Sequence, residues 1–142
     1  MRFMMLVIPR DYADAPADRM PDPADMAPMM EYNESLQKAG VLLELHGLRP
    51  PSTGARVSFS GGKPTVIDGP FAEAKEVVGG YWMIQVRSKE EAIEWATRAP
   101  MRNGDMIEIR QVMEVEDFPE EIQKAAADFT YAQERAARRN NS

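Results

Sequence analysis

Two strand–helix–strand patterns bracket a Gly-Gly-Lys turn, and that order limits what this chain can fold into more than any other feature of it. Residues 4–8 are a short apolar run stopped by Pro9, the pattern of a buried strand. Residues 9–24 carry prolines at 9, 16, 21 and 23 among several aspartates, which predicts an irregular loop. A helix is expected from an N-cap at about Asp25 to Lys38, with Gly40 ending it. Met26, Met29, Met30, Asn33, Leu36 and Gln37 would share its inner side. A second strand follows over 41–48 and stops at Pro50-Pro51.

Residues 56–60 and 64–67 flank Gly61-Gly62-Lys63, the signature of a hairpin. A strand over 81–86 is entered through Gly79-Gly80. Ser88 then N-caps a helix, with Glu91 completing a capping box. Ala92, Ile93, Trp95 and Ala96 form its apolar face and Pro100 ends it. Residues 106–113 make the last strand. This order gives a ferredoxin-like α+β layer, an antiparallel sheet with two helices on one face. Residues 119–138 add a C-terminal helix with Phe118, Ile122, Ala125, Ala126, Phe129 and Ala132 along one face. The organisation expected is a domain over 1–113 and a helical extension over 114–142.

With 142 residues, 44% of them hydrophobic and 28% charged, the chain can bury one core. No run approaches the roughly 18 apolar residues that would argue for a membrane span. The apolar N-terminus is too short for a signal peptide, and Pro9-Arg10-Asp11 follow it in place of a small-residue cleavage site. The absence of cysteine excludes disulfide and thiolate chemistry and fits a reducing cytoplasm. One histidine per chain argues against a His-rich zinc site, and no cofactor or metal is implied. A net charge of −6 argues against nucleic acid as a partner. Arg135, Arg138 and Arg139 instead complement the negative end of the last helix.

Period-two alternation splits each strand into two rows. Val41, Leu43 and Leu45 would meet the helices, opposite Leu42, Glu44, His46 and Leu48. Trp82, Ile84 and Val86 oppose Tyr81, Met83 and Gln85, and Ile107 and Ile109 oppose Met106, Glu108 and Arg110. Each strand therefore has one row suited to a core and one mixed row. A mixed face of this kind fits a second copy of the chain across a partly wet cleft, so a homodimer through the sheet face is expected.

Residues 68–76 read Asp-Gly-Pro-Phe-Ala-Glu-Ala-Lys-Glu, more structure than a plain connector needs. Asp68 is either a general base or a turn-opening side chain that bonds nearby backbone N–H groups. Phe71 reads as an anchor for the loop. Glu73 and Lys75 either line a polar pocket or belong to a solvated turn. His46 is the natural acid–base candidate, with Glu44 two residues earlier to orient it. The alternative for His46 is a hydrogen-bonded strand end. Arg110 can hold an anionic group through its fork of donors or serve an ion pair at the dimer interface. Tyr81 can reach a ligand with its hydroxyl.

With these residues in place the chain resembles the YCII-related family, in the branch named for its Asp-Gly-Pro-Phe motif. The matching residues are Asp68-Gly69-Pro70-Phe71 with Glu73, Lys75 and Glu76, then Gly79-Gly80-Tyr81. Gly40-Val41-Leu42, Leu48-Arg49-Pro50-Pro51, Glu91-Ala92-Ile93-Glu94-Trp95-Ala96 and Ile107-Glu108-Ile109-Arg110 also agree. The resemblance covers about residues 1–113 and implies a dimeric α+β barrel. Smaller relatives are implied to pair a histidine on the first helix with an aspartate in the cleft. No histidine lies on that helix here, so the pair does not carry over. Two readings stay open: a small cofactor-independent enzyme in which His46 moves protons, Asp68 or Glu44 orients it and Arg110 holds an anion; or a non-catalytic binding or interaction module.

Overall fold

A computed structural model describes residues 1–141. They form two compact units, 1–111 and 112–141. In the first unit, β1 (Arg2–Ile8), α1 (Pro23–Lys38) and β2 (Leu42–Gly47) precede a hairpin of β3 (Ala55–Ser60) and β4 (Lys63–Asp68). Then come β5 (Gly80–Gln85), α2 (Lys89–Thr97) and β6 (Met106–Gln111). The four-stranded sheet has the order β2-β5-β1-β6 with every pairing antiparallel. That is the ferredoxin-like layer read from the sequence, with the hairpin as a separate two-stranded sheet.

The core lies on one face of the sheet. Phe3 and Met5 of β1 and Trp82 and Ile84 of β5 pack with Tyr32 and Leu36 of α1 and Ala92 of α2. In α1 the inner side differs from the expected one. Tyr32 is buried there, Asn33 receives the Trp82 Nε1–H at 2.8 Å, and Met26, Met30 and Gln37 are exposed. The helix also starts earlier than expected. Asp22, not Asp25, is its N-cap and accepts from the Ala24 N–H at 2.9 Å, and Pro23 occupies the first turn, where its missing N–H costs nothing. On α2, Ser88 accepts from the Glu91 N–H as expected. The Glu91 carboxylate, however, takes the Arg87 N–H at 2.9 Å, and Ile93 is exposed.

A bulge in β2 corrects one row. Leu42 pairs with Ile84 and Glu44 with Met83, so Leu43 is an extra residue between them. The insertion shifts the alternation by one. Leu42 therefore lies against the core, where strict alternation puts it with Glu44, and Leu43 is exposed. Past the bulge, Leu45 opposes Trp82 and His46 opposes Tyr81, as the alternation requires. Gly61 and Gly62 both have positive φ, as a two-residue turn between right-twisting strands demands.

The second unit holds a single 3-10 turn at Val115–Asp117 and α3 (Glu120–Asn140). Glu114 and Asp117 cap the turn reciprocally. Of the expected apolar stripe along α3, Ile122 and Phe129 are exposed, and Phe118 and Ala126 are half-buried. Among the described residues, no helix is long and apolar enough to cross a membrane.

Candidate functional site

The face of the sheet away from the helices collects the side chains that alternate with the core. Cross-strand partners share a face, so the register fixes its rows. One row runs His46, Tyr81, Leu6, Glu108, and the next runs Glu44, Met83, Met4, Arg110. Leu6, Met4, Met83 and Tyr81 are half-buried.

At the β2 edge of this face, one carboxylate oxygen serves two partners. Glu44 Oε1 accepts from the Tyr81 hydroxyl at 3.0 Å and lies 2.9 Å from His46 Nε2. The imidazole and phenol rings are 5.8 Å apart and tilted by 56°. Tyr81 is pushed above the ordinary tyrosine pKa, first by burial and then by the hydrogen bond and charge of Glu44. A carboxylate holding an imidazole and a phenol can orient the ring and accept or return a proton through it.

The other expected site residues are not drawn to this cluster within one chain. His46 and Arg110 share a face but stand on opposite edge strands, three inter-strand spacings or roughly 14 Å apart. Arg110 sits 3.5 Å from Glu108 instead. Asp68 ends β4, pairs across the hairpin with Ala55, and is exposed. Among the described residues, its carboxylate makes none of the local backbone bonds a turn-opening aspartate would make. Glu73 and Lys75 are exposed in the loop after the motif, and neither pairs with Arg110.

Gly69 and Phe71 explain the shape of the motif. The Gly69 N–H donates to the Gly54 carbonyl at 2.9 Å. A methyl group on Gly69 would overlap the Pro51 carbonyl oxygen, so only glycine lets the segment lie against the Pro50-Pro51 turn. The Gly69–Pro70 peptide is cis. The Phe71 ring lies under the Arg56 guanidinium at 4.1 Å, a cation–π contact. Phe71 lines a cavity of about 460 Å³ together with Leu48, Arg49, Pro51 and Val77. A smaller cavity of about 190 Å³ touches His46, Asn33, Met29 and Trp82.

The sequence reading missed a third cleft, of about 830 Å³, at the end of the sheet where the 9–22 loop is anchored. It gathers Arg10, Arg19, Arg49 and Arg102 with Tyr12 and four aspartates. The available signal was the interleaving of Arg and Asp through residues 10–25 and again at 102–105, which reads as a solvated loop until the fold brings the segments together.

These observations define a ferredoxin-like α+β protein with a paired carboxylate, imidazole and phenol on its open sheet face. Residues 1–116 match the YCII-related domain, and the chain belongs to that family. It is also similar to an uncharacterised protein of Rhizobium meliloti (strain 1021), at 39% identity over 59 residues. That match covers 42% of this chain and 48% of the relative, so it spans about half of the relative's length.

Proposed function

We propose that the protein is a homodimer closed across the open face of its sheet, with a small polar or anionic molecule held between the copies and subject to acid–base chemistry. The observation that carries this reading is Glu44 Oε1, bonded to Tyr81 and set against His46 on a face of half-buried Leu and Met side chains. A face of that composition is suited to cover by a second surface. The hairpin adds to it, because Val57, Phe59 and Val66 lie on one of its faces and are all exposed. His46 transfers the proton and Glu44 orients it. Asp68 is a second carboxylate at the rim, and Glu73, Lys75 and Arg110 supply ligand contacts. Since His46 and Arg110 occupy opposite edges of one sheet, a site that uses both takes one from each copy. Asp68-Gly69-Pro70-Phe71 supports placing the chain in the branch of the family named for that motif.

Sedimentation equilibrium tests the assembly. The expected mass is twice the 16.0 kDa of one chain, falling to a single chain in Leu6→Glu. A single-chain mass at micromolar concentration sinks the proposal. A non-catalytic binding module is the second reading, favoured because none of the three cavities holds more than one of His46, Asp68 and Arg110. A bound metabolite recovered unchanged after long incubation supports the module. Conversion that His46→Ala abolishes supports the enzyme.

A further inference from the structure

The 830 Å³ cleft lies where β1 and β2 end and β5 and β6 begin, with the start of α1 at its rim. Its four aspartates are all engaged. Asp105 accepts from the Arg10 N–H at 2.8 Å and the Arg102 N–H at 2.9 Å. Asp22 caps α1 and lies 3.2 Å from Arg102 Nη2, which also pairs with Asp25. Asp11 lies 3.3 Å from Arg10 Nε.

This pairing uses two of the four arginines and leaves the other two. Among the described residues, neither the Arg19 nor the Arg49 guanidinium has an ion-pair partner. Tyr12 links their positions. Its hydroxyl donates to the carbonyl of Leu48, next to Arg49; burial pushes the phenol up, and the charge of Arg19 opposes that rise.

The loop that carries them is held in place. Ala15 is buried, its N–H donates to the Tyr12 carbonyl, and its own carbonyl accepts from Ser52 Oγ at 3.1 Å. Asp11 adopts φ +61°, a left-handed conformation that few residues other than glycine, asparagine and aspartate tolerate. A cleft of this volume falls in the range of small-molecule sites, and although its arginines and aspartates balance in number, the Arg19 and Arg49 guanidinium groups stand outside its ion pairs.

We propose that Arg19 and Arg49 form a binding site for a small molecule bearing a carboxylate or a phosphate, the oxyanion seated between their guanidinium forks beside Tyr12. The site shares no residue with the Glu44–His46–Tyr81 cluster and stands whether or not that face is catalytic or dimeric.

Calorimetric titration of the full chain at low salt, with inorganic phosphate and with succinate separately, tests it. Saturable binding of at least one is expected, and which one binds identifies the oxyanion. Arg19→Gln and Arg49→Gln should each weaken it roughly tenfold or more, the effect of losing a charged hydrogen bond. Arg87→Gln removes the same charge beyond the other end of β5 and should leave binding unchanged. Arg49→Lys keeps the charge without the fork, and with an unchanged melting temperature it should still bind more weakly. No saturable binding of either probe up to millimolar concentration overturns the proposal. So does equal weakening by Arg87→Gln, or full binding by Arg19→Gln and Arg49→Gln.

Discussion

On its helix-covered side the sheet buries Phe3, Met5, Trp82 and Ile84; on the other side, Met4, Leu6, Tyr81 and Met83 of the same two strands are half-buried. The polar groups on the two sides are arranged differently as well. Under the helices, Trp82 Nε1–H is consumed by Asn33 and the Tyr32 hydroxyl by the Trp95 carbonyl at 2.7 Å. No buried side-chain nitrogen or oxygen among the described residues lacks a partner. A buried polar atom without a partner is costly, so the closed side can keep polar groups only by committing them to fixed bonds. On the open side Glu44, His46 and Tyr81 bond to one another while water still reaches them. Groups in that condition can exchange a proton with a ligand; the closed side has none.

The contrast breaks most visibly under truncation. Leu36 is fully buried between α1 and the sheet, and Leu36→Ala should cost about 2–5 kcal/mol through lost burial and the cavity left behind. Met83→Ala, on the open side, should cost about 1 kcal/mol or less in an isolated chain. Urea denaturation of the two variants checks the difference. If Met83→Ala costs as much as Leu36→Ala, the open face is covered in solution.

The next effect separates neighbours on one strand and marks where the sequence stopped being legible. Element order, hairpin and both sheet helices follow from apolar periodicity and from Gly, Pro and Ser signals, and β5 keeps strict alternation from Tyr81 to Gln85. In β2 the run Val41-Leu42-Leu43 is apolar throughout, so composition does not reveal which leucine is the bulged one. Pairing with β5 decides it. Leu42→Asn should cost about 1–3 kcal/mol by burying an unpartnered amide, and Leu43→Asn within about 0.5 kcal/mol. Equal costs would remove the bulge from the account. The candidate site was legible in the same uneven way. Glu44 and His46 sit two apart beyond the bulge and were found; the Arg19–Arg49 cleft joins residues thirty positions apart, which no local pattern records.

A smaller effect appears only in alkali. Burial pushes Tyr32 up to about 12, with Arg98 opposing it. Its folded pKa therefore lies above its unfolded value near 10.0. Below pH 10 both states hold the proton and the contribution is fully present. Between 10 and 12 the unfolded chain loses its proton first, so stability falls as pH rises, by up to about 2 kcal/mol. Denaturant midpoints measured across that window should decline more steeply in the parent protein than in Tyr32→Phe. Parallel declines would mean that burial under the helices does not hold the Tyr32 proton.

The least disruptive change tests the open side directly. Tyr81 is raised by burial first and then by Glu44, and Glu44→Gln removes the second influence without altering the side chain's size. The amide oxygen can still accept from the Tyr81 hydroxyl, so the fold should hold and the melting temperature should scarcely move. The phenol, freed of the neighbouring negative charge, should ionise at lower pH, and ring-resolved NMR titration can separate Tyr81 from Tyr12, Tyr32 and Tyr131. Tyr32 should titrate unchanged, because its shift comes from burial on the far side of the sheet. A Tyr81 that titrates alike in both proteins would mean that Glu44 does not govern it in solution. The carboxylate–imidazole–phenol cluster would then lose its central member.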